Sequence, residues 1–207
     1  MIELYGGGPS RWVKCYWMLK ELGLEFQGHE VSFIKGEHRA PEMLAMNPFG
    51  KTPVLKDGNT VLFESTAILN YLGEKYPEAG LVPRSGTAER ALYDQWMSFC
   101  ITELEQPLWR IFKHTRLLPE NLRSADDVRL AKNEFAQVAQ VFDAQVGNRR
   151  FMVGNRFTAV DITIAWTLMW ANYNDLMGAF PNALRYAREM ISRPAYPSNL
   201  RFQQSAA

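Results

Sequence analysis

The sequence predicts a small α/β domain over residues 1–76, followed by an all-helical domain over residues 87–207. Three observations lead to this fold class. Strand and helix patterns alternate up to residue 76. Residues 77–86 contain two prolines and two glycines, as is typical of a linker. Beyond them strand patterns nearly vanish and long helical patterns take over.

The first domain begins with a strand pattern that is broken by Gly6-Gly7-Gly8-Pro9. Ser10 is expected to open the first helix and Gly23 to end it. Asp57-Gly58-Asn59 provides turn residues for a hairpin. The predicted elements are strand 2–5, helix 10–23, strand 24–33, short helix 41–46, hairpin strands 52–55 and 60–63, and helix 64–76.

In the second domain, helices are predicted over 87–114, 125–146, 158–173 and 181–192. Residues 158–173 are apolar nearly all round, with Asp161 as the one charge, which indicates a helix in the core. Thr158 and Asp161 have the spacing of a capping box at its start. We therefore interpret them as folding residues.

The composition excludes several classes of function. The 207 residues contain 23 Lys and Arg against 22 Asp and Glu, a net charge of +1, so nothing indicates nucleic acid or an anionic membrane as a partner. No signal-peptide pattern and no apolar run long enough for a bilayer are present. Cys15 and Cys100 form no disulfide framework, and a reducing cytoplasm fits best. The three histidines lack metal-ligand spacing, so no metal is expected.

Pro53 stands at the start of an apolar strand, where a missing N–H does not interrupt a sheet. If the Thr52–Pro53 bond is cis, the backbone groups of Thr52 turn outward and can pair with a bound peptide. The alternative is an ordinary trans proline, because about 5–6% of X–Pro bonds are cis.

Glu64 and Ser65 precede a predicted helix. Ser65 can cap that helix, whose free N–H groups suit a carboxylate, while Glu64 offers a partner for an ammonium. Together they would recognise the head group of an α-amino acid. The alternative is plain helix capping.

Ser10 follows a glycine-rich turn at the start of a helix. A thiolate placed there would accept a hydrogen bond from its hydroxyl and be stabilised by the helix dipole. Capping alone is again the alternative. Tyr5 and Cys15 are rival activators, although both are expected to be packing residues.

His38, Arg39 and Lys51 form a third set. These side chains can gather around a second carboxylate, or they can simply be solvated loop charges.

Taken together, these motifs resemble the cytosolic glutathione transferases, and most closely their theta-like, serine-type branch. Ser10 is followed four residues later by Lys14, where Arg is usual. The runs 35–58 and 62–72 are similar to the family over their whole length, whereas Gly154–Ile162 and Arg193-Pro194-Ala195 match in patches.

The resemblance implies a thioredoxin-like first domain and a helical second domain that contributes an electrophile pocket, in a homodimer. It implies that Ser10 activates the thiol of glutathione, the co-substrate. It also implies a cis Pro53. The residues it implies for glutathione binding are Ser10, His38, Arg39, Lys51, Thr52, Pro53, Glu64 and Ser65.

The reaction expected from the resemblance is conjugation of glutathione to a small hydrophobic electrophile. Phe99, Trp109, Phe112 and His114 are candidates for the pocket wall. A glutathione-dependent peroxidase or isomerase reaction at the same site is an open alternative. Thiol–disulfide exchange is disfavoured, because it normally needs a cysteine at the position that Ser10 occupies. A non-catalytic binding protein of the same fold is the other alternative.

Overall fold

In the computed structural model, which describes residues 1–197, the chain divides into two compact units. Residues 1–84 and 193–197 form the first unit, and residues 85–192 form the second. The first is a thioredoxin-like α/β domain and the second is helical, so the predicted fold class is confirmed. Within residues 1–197 we find no helix with the length and apolar character needed to cross a bilayer.

The first unit contains a four-stranded mixed sheet in the order β2-β1-β3-β4. β1 pairs with β2 in parallel and with β3 antiparallel, and β3 and β4 form an antiparallel hairpin. Its strands and helices are β1 (Ile2–Gly6), α1 (Trp12–Glu21), β2 (Phe26–Glu30), α2 (Pro41–Met46), β3 (Val54–Asp57), β4 (Thr60–Phe63) and α3 (Ser65–Lys75).

The start of α1 and the length of β2 differ from the sequence prediction. α1 begins at Trp12, so Ser10 lies just outside it. β2 is half the predicted length because β1 offers only five partner residues, from Ile2 opposite Phe26 to Gly6 opposite Glu30. The residues before β2 end the preceding helix.

Gly23 ends α1 as predicted. Its φ is +64°, a conformation that favours glycine. Its N–H donates to the carbonyl of Lys20, and the N–H of Leu24 donates to that of Leu19. These two bonds form a Schellman motif, which satisfies carbonyls at the helix end.

The first unit is packed on both faces of the sheet. Val31, Met43 and Val54 form a buried cluster, against which Tyr5 and Phe63 are packed. Leu4, which alternates with Tyr5 along β1, is fully buried, as are several side chains of α1 and α3. Helices therefore cover both faces of the sheet, with α2 beneath Tyr5 and with α1 and α3 on the side of Leu4.

The C-terminal segment anchors to α1 within the first unit. The guanidinium of Arg193 donates from Nε and Nη2 to the two carboxylate oxygens of Glu21, each at 2.7 Å. Tyr196 packs edge-on against Trp17, with ring centroids 4.9 Å apart. A two-bond ion pair of this kind fixes orientation as well as position.

The second unit contains five α-helices within the described chain. These are α4 (Ala88–Phe99), α5 (Gln106–Phe112), α6 (Ala125–Val146), α7 (Ala159–Tyr173) and α8 (Pro181–Ile191), with π-helical turns at Cys100–Glu105 and Lys113–Leu117. Twelve of the 15 residues of α7 are buried, which confirms the predicted core helix.

The predicted capping box at the start of α7 is present. The carboxylate of Asp161 accepts from the N–H of Met152 (2.8 Å), the N–H of Thr158 (2.8 Å), the hydroxyl of Thr158 (3.0 Å) and the hydroxyl of Tyr186 (2.5 Å). Burial nevertheless raises the pKa of Asp161, because it outweighs the effect of these bonds, each of which lowers it. One carboxylate thus joins three segments of the helical core.

Four side chains form a polar network on the sheet. Glu3 accepts from the hydroxyl of Tyr5 (2.7 Å) and from the ammonium of Lys56 (2.9 Å), and its carboxylate lies 3.1 Å from Nε2 of His29. The rings of Tyr5 and His29 stack at 4.3 Å. Lys56 and then Tyr5 lower the pKa of Glu3 from 4.5 to about 2, whereas burial and then Glu3 raise that of Tyr5 from 10.0 to about 12.

The first prediction concerns Asp161. Asp161→Ala leaves four buried donor groups without their acceptor, so we expect it to lower the free energy of unfolding by about 3 kcal/mol or more. Ser124→Ala is the matched control, because Ser124 caps α6 at a less buried helix start and its removal should cost about 1 kcal/mol. Urea denaturation of both variants measures the difference. Equal losses would contradict a special role for Asp161.

The second prediction concerns the network on the sheet. Glu3→Gln removes the carboxylate that favours the neutral phenol, so the pKa of Tyr5 should fall below about 12. Lys56→Met should raise the pKa of Glu3 from about 2 towards 4.5. Since the folded pKa of Glu3 is lowered, its contribution to stability is present above pH 4.5 and is lost as the pH falls towards 2. NMR titration of both residues checks these directions, and an unchanged Glu3 in Lys56→Met would contradict them.

Candidate functional site

The segments that carry the predicted site residues leave the sheet at one end. Tyr5 pairs with Val54, and Val54 pairs with Phe63, so these three residues form one row of the sheet. Beyond this row, β1 continues into the turn that contains Ser10. Pro53 immediately precedes β3, and Glu64 immediately follows β4.

Ser10 is held in the turn between β1 and α1. Its hydroxyl donates to the carbonyl of Gly7 (2.9 Å) and accepts from the N–H of Trp12 (3.3 Å). Its carbonyl also accepts from the N–H of Val13 (2.9 Å). Ser10 therefore caps the helix from two residues outside it, and its partly buried oxygen has a defined position.

The two rival activators are engaged elsewhere. The hydroxyl of Tyr5 donates to Glu3, and the pKa of Tyr5 is raised to about 12. Cys15 is fully buried, and burial raises the pKa of its thiol well above the ordinary value. Its Sγ lies 3.9 Å from the carbonyl oxygen of Ser65. A phenol and a thiol held in this way are poor partners for an external thiolate.

The Thr52–Pro53 peptide bond is cis, as the resemblance implied. Thr52 lies outside the ladder, which begins at Val54, and Pro53 is buried. The Oγ1 of Thr52 is buried and has no hydrogen-bond partner among residues 1–197. Lys51, by contrast, is exposed.

Asn47 shapes the approach to Pro53. Only 3% of it is exposed, its Nδ2 donates to the carbonyl of Lys51 (2.8 Å), and its Oδ1 accepts from the N–H of Phe49 (3.1 Å). Sequence reasoning missed this positioning residue. The signal was the Asn-Pro pair at 47–48, which favours a turn whose asparagine bonds to nearby backbone.

Glu64 and Ser65 lie at the start of α3, but their roles differ from the prediction. Ser65 is the first helical residue and is buried, whereas Glu64 occupies the capping position and is exposed. No side chain caps this helix. Glu64 has a φ of +70° and ψ of +114°, a conformation that non-glycine residues rarely adopt and that clusters at ligand sites.

His38 and Arg39 belong to a 3-10 turn, Glu37–Arg39, that lies close to Gly50, the residue before Lys51. A side chain added at Gly50, whose φ is +58°, would lie 3.0 Å from both Cδ of Arg39 and the carbonyl of His38. The ring of His38 stacks on Phe33 at 4.5 Å. Its Nδ1 is buried and has no partner within the described chain. These contacts bring His38 and Arg39 to the loop that contains Lys51.

The four candidates for the pocket wall lie in different surroundings within the second unit. Phe99 is half-buried and stacks on the buried Phe142, with ring centroids 6.4 Å apart. His114 accepts from the N–H of Ser124 through Nδ1 (3.1 Å), and its Nε2 lies 3.1 Å from Asp127. It therefore helps to hold the start of α6, which is a structural contact that its sequence position did not reveal.

Trp109 and Phe112 stack on one another at 5.7 Å and are both half-buried. No group of three or more metal-ligating side chains is found in residues 1–197.

Comparisons with known proteins agree on one family. Residues 1–74 match the family described as Glutathione S-transferase, N-terminal domain, and residues 112–189 match Glutathione S-transferase, C-terminal domain. Glutathione S-transferase 3 of Zea mays is 33% identical over 206 residues, covering 94% of this chain and 91% of the relative. Glutathione S-transferase F10 of Arabidopsis thaliana is 34% identical over 147 residues, covering 70% of this chain and 68% of the relative.

Solved structures give the same result. The glutathione transferase URE2P6 of Phanerochaete chrysosporium, in complex with oxidized glutathione, has a TM-score of 0.83 at 28% identity and covers 94% of this chain and 92% of its own. A glutathione transferase family member from Pseudomonas fluorescens, with two glutathione bound, has a TM-score of 0.85 at 26% identity, with 98% and 93% covered. The chain belongs to the glutathione S-transferase family.

Proposed function

We propose that the protein binds glutathione at the end of the sheet marked by Tyr5, Val54 and Phe63, and transfers its thiolate to a small hydrophobic electrophile. The observation that carries this proposal is the convergence of three segments at that end. One provides a hydroxyl, one a cis-proline turn, and one the start of a helix. Relatives with solved structures hold glutathione or its oxidized form.

The γ-glutamyl head group is assigned to Glu64 and Ser65. The carboxylate of Glu64 would pair with the ammonium. The hydroxyl of Ser65 and the first N–H groups of α3 would receive the carboxylate. The unusual backbone of Glu64 supports this assignment, because it gives the acidic residue a fixed direction at the helix start.

The rest of the tripeptide is assigned to the preceding loops. The backbone of Thr52 would pair with the cysteinyl residue as an added strand does, because Thr52 lies just before the ladder begins. His38, Arg39 and Lys51 would surround the glycyl carboxylate with positive or hydrogen-bond-donating groups. Pro53 would shape the turn between these two parts.

Ser10 is assigned to the chemistry. Its hydroxyl would donate to the glutathione sulfur and favour the thiolate, while the thiol proton passes to solvent. The thiolate then attacks the electrophilic carbon, so that a sulfur–carbon bond forms as a leaving group departs with its electron pair or a strained ring opens. With this role for Ser10, the chain would be a serine-type enzyme of the family, as its sequence resemblance implies.

The remaining parts of the proposal come from family membership. The helical unit would provide the electrophile pocket, with Trp109 and Phe112, two half-buried rings that stack on one another, as aromatic candidates for its wall. A homodimer in the cytoplasm is expected.

The third prediction tests Ser10. Ser10→Ala should lower kcat for a chlorodinitrobenzene-type electrophile at least about tenfold, because the thiolate loses its hydrogen-bond donor. The pKa of enzyme-bound glutathione, followed by thiolate absorbance, should rise, whereas the Kd for glutathione stays within about threefold. Tyr5→Phe is the control and should retain kcat. Unchanged turnover in Ser10→Ala would remove Ser10 from this role.

The fourth prediction tests Glu64. Glu64→Gln should weaken the binding of glutathione about tenfold, because the ion pair between the carboxylate and the ammonium is replaced by a neutral contact. Glutaryl-cysteinyl-glycine, which lacks the amine, should bind wild type and Glu64→Gln equally. Calorimetric titration measures all four affinities. An equal loss for both ligands would show that Glu64 acts on the fold rather than on the ammonium.

A further inference from the structure

Glu21 is the last residue of α1, and its carboxylate is nearly buried, with 8% of the side chain exposed. The guanidinium of Arg193 donates to both of its oxygens, and Nε1 of Trp17, one helical turn earlier, donates to Oε1 at 2.9 Å. A carboxylate at this end of a helix is unfavourable for the helix itself, because the helix dipole is negative there. Glu21 therefore serves the contact with Arg193 rather than the helix.

An aromatic contact accompanies this ion pair. Trp17 is fully buried, and Tyr196 is buried beside it, with the two rings packed edge-on. The N–H of Tyr196 donates to the carbonyl of Arg193 at 3.0 Å, so both residues belong to one turn of the C-terminal segment. Trp17 and Glu21 are spaced by four and share one face of α1. We call these four residues the C-terminal clamp.

The other end of α1 holds Ser10. The N–H of Trp12 donates to the hydroxyl oxygen of Ser10 at 3.3 Å, and the N–H of Val13 donates to its carbonyl at 2.9 Å. Trp12 and Val13 are the first two residues of α1, so both bonds move with the helix. The position of the Ser10 hydroxyl therefore follows the start of α1.

α1 connects the C-terminal clamp to Ser10 as a short, stiff rod. Its ten residues rise by about 15 Å. They include neither glycine nor proline, which are the usual causes of a sharp kink, so a shift at Glu21 is passed on to the start of the helix. Buried apolar side chains hold α1 along its length, but apolar contact has no direction. The two-bond ion pair does have one, and it fixes the helix along its axis.

We propose that Arg193 is a positioning residue for the chemistry assigned to Ser10. By holding Glu21 it fixes α1 along its axis, and it thereby places the hydroxyl of Ser10 against the glutathione sulfur. This inference rests on the function proposed above, and it gives the C-terminal segment a part in the reaction. A displacement of about 1 Å at a reacting group lowers a rate by up to about a hundredfold, so a small movement of α1 is measurable.

The test measures the pKa of the glutathione thiol bound to the full chain, by thiolate absorbance against pH, together with kcat for a chlorodinitrobenzene-type electrophile. In Arg193→Gln this pKa should rise and kcat should fall at least about threefold, because the hydroxyl of Ser10 lies farther from the sulfur. Arg193→Lys keeps the charge but loses the two-bond geometry, so both quantities should lie between those of wild type and Arg193→Gln. Arg185→Gln is the matched control. It removes a half-exposed arginine–glutamate pair within α8 and should change neither quantity.

Glu21→Gln breaks the same contact from the helix side, while its amide keeps the volume of the side chain and an acceptor for Trp17. It should reproduce the rise in the pKa of the thiol. Thermal unfolding establishes that each variant is folded at the assay temperature, and Glu21→Gln decides if Arg193→Gln is not. A wild-type pKa of the thiol in either folded variant would overturn the inference.

A double-mutant cycle with Ser10→Ala separates positioning from a general loss of structure. If Arg193 acts through Ser10, Arg193→Gln should cause no further rise in the pKa of the thiol once the hydroxyl is gone. An equal rise in both backgrounds would show that Arg193 acts elsewhere, and it would overturn the inference while leaving the role of Ser10 intact. A wild-type pKa of the thiol in Ser10→Ala itself would instead refute the proposed chemistry, and this inference with it.

Discussion

The row formed by Tyr5, Val54 and Phe63 is the constraint on which the proposed site depends. Because side chains alternate along a strand, a slip of one residue in β3 would turn Val54 and Leu55 to the wrong faces of the sheet and break two buried clusters. The register is thus fixed by burial. Since Pro53 and Glu64 directly flank this row, hydrophobic packing sets where the polar groups of the site stand.

Much of the site is backbone geometry rather than side-chain chemistry. The buried Asn47 fixes the loop before Pro53 through bonds to the backbone of Phe49 and Lys51. Glu64 holds a positive φ without help from a capping side chain. A tripeptide offers mostly amide groups and two charged ends, so loops with fixed backbone suit it better than a pocket of flexible side chains.

Local chemistry made most of the fold predictable. The hairpin turn, the glycine stop of α1 and the capping box of α7 each rest on residues within one or two turns of chain. The length of β2 was not predictable, because it is limited by its partner strand. Nor were the role of Asn47, the φ of Glu64 or the bonds of His114, since each depends on contacts or backbone angles that no periodicity reports.

The hydroxyl of Ser10 illustrates how a structural bond can serve the proposed chemistry. At present it donates to the carbonyl of Gly7, a neutral acceptor. The sulfur of a neutral thiol is a weaker acceptor than this carbonyl, so the hydroxyl keeps its bond to Gly7 while the thiol is neutral. A thiolate offers a charged acceptor, and hydrogen bonds to charged groups are roughly twice as strong as neutral ones. The hydroxyl of Ser10 would therefore stabilise the thiolate and not the neutral thiol. A hydrogen bond made only to the ionised form lowers the pKa of the glutathione thiol.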